Sequence, residues 1–63
     1  MLTVSEMTDA RDKLRAAGNL IEAVRGVFLS AGYIQGGRLL QDVINLVSDE
    51  IAALDKAIGA AKP

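Results

Sequence analysis

Glu6, Asp9 and Asp12 fall along one side of the first turns of a predicted helix, a spacing that could gather carboxylates for acid/base work or a divalent cation. The same residues have a plainer use. Acids near a helix N-terminus offset the macrodipole, and Arg11, Lys13 and Arg15 lie among them as ready ion-pair partners. Ser5, Ser30 and Ser48 are the candidate nucleophiles, but the chain has no histidine and no cysteine, so the usual nucleophile and base constellations cannot be assembled. That absence also removes the usual zinc and haem ligand sets and any disulfide. The stretch Gly32-Tyr33-Ile34-Gln35-Gly36-Gly37 is glycine-rich, yet it lacks the lysine and hydroxyl residue of a phosphate-binding loop and no strand precedes it. It reads as a turn. The sequence therefore predicts no catalytic residue, no cofactor and no metal site, and points away from an enzyme towards a chain that works through its surface.

The elements that shape that surface are written in apolar residues stepping by seven. In the first half Met7, Leu14, Ile21 and Phe28 occupy one heptad position, and Ala10, Ala17, Val24 and Ala31 the other. In the second half Ile44, Ile51 and Ile58 alternate with Leu40, Val47, Leu54 and Ala61. Two such ladders predict an all-α fold, an antiparallel two-helix hairpin forming a single domain over residues 1–63. Thr3 and Glu6 fit a capping box, with Leu2 and Met7 as its hydrophobic staple, so the first helix is expected over 4–31. Gly32 supplies a stop, the turn is expected over 32–37 with Gly36-Gly37 as a breaker, and the second helix over 38–60. Lys62 suits the negative end of that helix, and Pro63 terminates it. A break at Gly18-Asn19 giving three short helices is the alternative; the unbroken phase of Leu14, Ala17, Ile21 and Val24 favours one helix.

If the chain folds back near residue 34, the facing layers are Phe28 with Leu40, Val24 with Ile44, Ile21 with Val47, Ala17 with Ile51, Leu14 with Leu54, Ala10 with Ile58 and Met7 with Ala61. Three layers set an alanine against a large residue, which keeps their volumes even. One flank of this seam is polar, with Arg11 near Asp55 and Gly18 near Ser48. The other flank is apolar: Leu20 and Val27 lie beside Val43, with Leu39 and Leu46 further round and Ala53, Ala57 and Ala60 continuing a four-three spacing broken only by Glu50. This arc is wider than a single neighbouring helix covers. Burying the five large side chains is worth ~1.5 to 3 kcal/mol each, before the cost of association. Asp42, Asp49 and Lys56 line the outer face of the second helix as a solvated stripe suited to solubility or partner steering.

Sixty-three residues give a thin core that lacks the usual staples of a mini-protein, so association with another chain is expected. No apolar run approaches the roughly 20 residues of a membrane span, and the N-terminus carries Glu6 and Asp9 without a basic cluster, so the chain is expected to be soluble and cytoplasmic, with no membrane contact. Seven basic residues against eight acidic give a net charge of -1, which argues against direct nucleic-acid binding. At the tip, Leu29, Tyr33 and Ile34 bring three large apolar groups together. Either Tyr33 and Ile34 fold back over Phe28 and Leu40 to close the core, or the three form a recognition knob, with Arg25 and Arg38 placed to hold a partner's carboxylate.

In size, in its lack of cysteine and histidine, and in the segments DKLRAAGNLIEAVR (12–25) and LLQDVINLVSDEI (39–51), the chain resembles the small helical antiactivators of bacterial mobile elements, the QseM type. The resemblance spans most of the chain and implies a stoichiometric regulator that binds and silences a quorum-sensing transcriptional activator of conjugative transfer. The expected partner-binding residues, read from the pattern of the chain itself, are Leu20, Val27, Leu29, Tyr33, Ile34, Leu39, Val43 and Leu46. The alternative is a homodimeric four-helix bundle that binds RNA, similar in outline to the Rop-type copy-number regulators, with Arg11, Lys13, Arg15 and Arg25 turned outward.

Overall fold

The computed structural model describes residues 1–61, so Lys62 and Pro63, with the roles expected of them, lie outside the described residues. Two helices, α1 (Val4–Ser30) and α2 (Ile34–Ala61), pack against each other along their length, and the described residues contain no strand. The hairpin is a rod of 49 × 16 × 14 Å.

α1 begins as its sequence dictates. The Glu6 amide donates to Thr3 Oγ1 at 3.1 Å and the Thr3 amide donates to Glu6 Oε1 at 3.0 Å, which satisfies two of the orphan donors of the first turn. These bonds stabilise the ionised form of Glu6, the Thr3 amide foremost, and hold its carboxyl below the usual glutamate range. α1 runs unbroken through Gly18, where an added Cβ would stand 3.4 Å from Val47 Cγ1, so that glycine sits at a close approach of the two helices.

The helix ends in a Schellman turn. The Tyr33 amide donates to the Phe28 carbonyl at 2.8 Å and the Gly32 amide to the Leu29 carbonyl at 3.0 Å, with Gly32 at φ +79°, the left-handed region that glycine enters without strain. The accompanying apolar contact is the Tyr33 ring, edge-on to Phe28 at 5.5 Å between centroids.

Here the structure corrects the expected turn over 32–37. α2 already begins at Ile34, and Gly36 and Gly37 are buried in its first turn. They act as a floor rather than a breaker: Phe28 and Tyr33 lie over Gly36, and Leu29 lies over Gly37, in space that any Cβ would occupy. The connection is therefore only Ala31 to Tyr33, and the chain reverses about Tyr33 rather than residue 34.

That shift turns α1 about its own axis. Met7, Leu14, Ile21 and Phe28 face the seam as expected, and α2 contributes Leu40, Ile44, Val47, Ile51, Leu54 and Ile58. The second ladder of α1, however, is Arg11, Gly18 and Arg25, with Val4 at its start, in place of Ala17, Val24 and Ala31; of the expected set, Ala10 is half-buried. Ala17, Val24 and Ala31 are exposed, and so is Ala61 opposite. Gly18 brings Val47 to within 3.4 Å of where a Cβ would stand, and on either side of it Arg11 and Arg25 reach acceptors on α2 with their Nη groups, their long stems lying along the seam's edge. The interior is thin. Among the described residues the buried apolar side chains are Met7, 9% exposed, and Ile58, 5% exposed.

Candidate functional site

The hairpin has two unlike flanks. On the polar one, Arg11 Nη1 donates to Asp55 Oδ1 at 2.9 Å and Arg15 Nη2 to Asp55 Oδ2 at 3.5 Å, so one carboxylate of α2 ties down two cations of α1. The Asp55 bond, with Asp12 3.3 Å away, stabilises the charged guanidinium of Arg11 and raises its pKa further. Nearer the loop an Arg25 Nη donates to Gln41 Oε1, and Gln41 Nε2 donates in turn to Asn45 Oδ1 at 3.0 Å. Arg25 is thus turned into the seam rather than outward. Of the four cations that an RNA-binding dimer would present, Arg11 and Arg25 lie in the seam and Arg15 leans on Asp55.

The acids that suggested a cation cluster are dispersed among other duties. Glu6 closes the capping box, Asp9 meets Lys13 at 2.9 Å and Asp12 meets Arg11. The Asp9 carboxylate raises the pKa of Lys13, chiefly through their hydrogen bond. Among the described residues no group of three potential ligands stands close enough to hold a metal ion.

The opposite flank is apolar and open. Leu20, Val27, Leu39 and Leu46 are each 66–67% exposed, and Val24 and Val43, nearer the seam, are 37% and 39% exposed. Helical geometry puts them on one side of the hairpin: Ala10, Lys13, Ala17, Leu20, Val24 and Val27 repeat in a three-four spacing on α1, and Leu39, Val43, Leu46, Glu50, Ala53 and Ala57 in a four-three spacing on α2. Each helix thus carries two heptad seams, one used inside the hairpin and one unused.

Five of the eight residues expected at a partner surface, Leu20, Val27, Leu39, Val43 and Leu46, share this flank. The other three do not join it. Leu29 packs on Gly37, Tyr33, although 62% exposed, leans on Phe28, and Ile34 opens α2 half exposed. Sequence reasoning missed Val24 and Ala17 as members of the flank, because it spent them on the seam. The signal was present: Arg11, Gly18 and Arg25 also step by seven.

No helix among the described residues is long and apolar enough to cross a membrane. Comparison of the chain with protein-family models, curated proteins and solved structures finds no match.

Proposed function

We propose that this chain is a non-enzymatic protein-binding regulator, an antiactivator that sequesters a transcriptional activator against its apolar flank. The observation that supports the reading is the second heptad seam, with four large side chains two-thirds exposed on a chain that buries little else. An apolar stripe of this kind on a soluble domain costs solubility and serves a partner. Anchors at helical spacing with charged residues beside them suit a helix-to-helix interface, and Arg38, Asp42 and Asp49 provide polar edges.

The resemblance to the QseM type narrows the partner to a quorum-sensing activator of conjugative transfer in a bacterial cytoplasm. Silencing then needs no chemistry. The hairpin covers a helical surface that the activator uses elsewhere, one molecule per site, and release restores activity.

Replacing Leu39 and Leu46 together by aspartate removes two anchors while leaving the internal seam intact. Affinity for the purified activator, measured by calorimetry, should fall at least about 100-fold with helicity retained. Unchanged affinity would remove this flank from the reading.

A further inference from the structure

We infer that, when no target is present, the apolar flank is occupied by a second copy of the chain, in a four-helix dimer whose loops lie at the same end and whose α1 packs on α2 of the other copy. The inference rests on the reading of the flank as a protein-docking face, and on three further observations.

The first is area. A compact monomer of this chain's 6.6 kDa exposes about 3,900 Å² by the general scaling of surface with mass. This hairpin exposes 4643 Å². The excess, roughly 750 Å², is close to the ~800 Å² that each partner buries in a standard interface. The second is spacing. A single target helix would fill one groove, whereas this flank offers two parallel ladders of equal repeat, one per helix, which another hairpin of the same repeat covers at once.

The third is charge. Between Ala10 and Val27 on α1 and between Leu39 and Ala57 on α2 the ladders carry one charged residue each, Lys13 and Glu50, of opposite sign; Glu6, one step before Ala10, is held in the capping box. Arg11 is level with Asp55 across the hairpin, so Lys13 is level with Ala53 and Glu50 with Ala16. A twofold axis parallel to the rod keeps these heights and sets α1 against α2 of the second copy. Lys13 then faces Glu50 of the other chain with an offset of three residues, about 4.5 Å, and does so twice by symmetry. At a helix separation of about 8 to 10 Å the two long side chains reach each other. The head-to-tail arrangement instead opposes each helix to its own counterpart and parts Lys13 from Glu50 by roughly two turns. Lys13 is free to make the new contact, since its present pair with Asp9 is exposed on both sides and weak.

The test is sedimentation equilibrium on the full chain, with circular dichroism to follow folding. The wild type should dimerise at micromolar concentrations. Lys13→Glu and Glu50→Lys should each weaken the dimer by about tenfold, since either places like charges together twice, and the double reversal should restore it. A folded chain that stays monomeric at 100-fold higher concentration overturns the inference while leaving target binding intact. A dimer indifferent to both reversals overturns the arrangement. Loss of target binding in Leu39→Asp/Leu46→Asp is read separately, so the two ideas fail independently.

Discussion

The Phe28 ring lies so close over Gly36 that a Cβ on that glycine would stand 2.7 Å from Phe28 Cδ2, with Tyr33 crowding the same space. Gly26, one turn before the end of α1, has nothing within 4 Å of an added Cβ. One chemical change should therefore have opposite signs at the two sites. Gly26→Ala should stabilise the hairpin by about 0.5 to 1 kcal/mol through helix propensity alone. Gly36→Ala should destabilise it by about 1 to 3 kcal/mol, because overpacking outweighs that gain. Thermal melts of the two variants check this; stabilisation by both would show that Phe28 and Tyr33 swing aside at little cost.

The same glycines show where a sequence stops being readable. The seam of α2 and the Met7–Phe28 ladder were legible because large apolar residues at heptad spacing have one low-energy place to go. The capping box was legible because Thr3 and Glu6 need only each other. Gly36-Gly37 was not, since a glycine pair serves equally as a breaker or as a floor, and the choice depends on Phe28, Leu29 and Tyr33 folding over it. The Arg11–Gly18–Arg25 ladder was hidden for a related reason: counting apolar residues assigns alanine to the core and arginine to water, while Arg11 and Arg25 are drawn to the seam by acceptors on α2, Asp55 and Gln41, that lie 44 and 16 residues away in the chain. Most of the exposed flank was legible nonetheless, because Leu20, Val27, Leu39, Val43 and Leu46 have no place in a two-helix seam.

Ile58 and Leu20 are large aliphatic residues with opposite surroundings, 5% and 66% exposed. Truncating Ile58 to alanine should cost about 2 to 5 kcal/mol, enough to unfold much of so small a domain. Leu20→Ala in dilute solution should change stability by no more than about 0.5 kcal/mol. At high concentration its melting point should lose the concentration dependence that a dimer confers. Denaturant titration at two protein concentrations separates the two effects.

Glu6 carries a pH dependence whose direction follows from its bonds. Its folded pKa is lowered by the Thr3 amide and hydroxyl, so the stability it contributes is present above the ordinary glutamate range and is lost as pH falls through the lowered folded value. Glu6→Gln keeps an acceptor for the Thr3 amide but no charge. The variant should melt below the wild type at pH 7, and the gap should close as the solution is acidified, where a protonated glutamate and a glutamine are alike. A gap that stays constant down to pH 3 would mean that the charge on Glu6 contributes nothing.

Arg25 and Arg11 sit in one ladder of α1 but are served unequally. Arg11 has two carboxylates within ion-pair distance, whereas Arg25 donates to the neutral Gln41, its Nε is buried without a partner, and no acid pairs with it among the described residues. Desolvating a cation without an opposite charge costs stability, and a flexible apolar side chain of similar length fills the same seam. Arg25→Met should therefore raise stability by on the order of 1 kcal/mol, or about 4 to 8 °C in melting temperature for a domain of this size. Arg11→Met should lower it, because Asp55 is left with only the 3.5 Å contact to Arg15. The expected order of melting points is Arg25→Met above wild type above Arg11→Met. The reverse order would mean that the Arg25–Gln41–Asn45 chain of hydrogen bonds, rather than apolar filling at position 25, holds the loop half of the seam together.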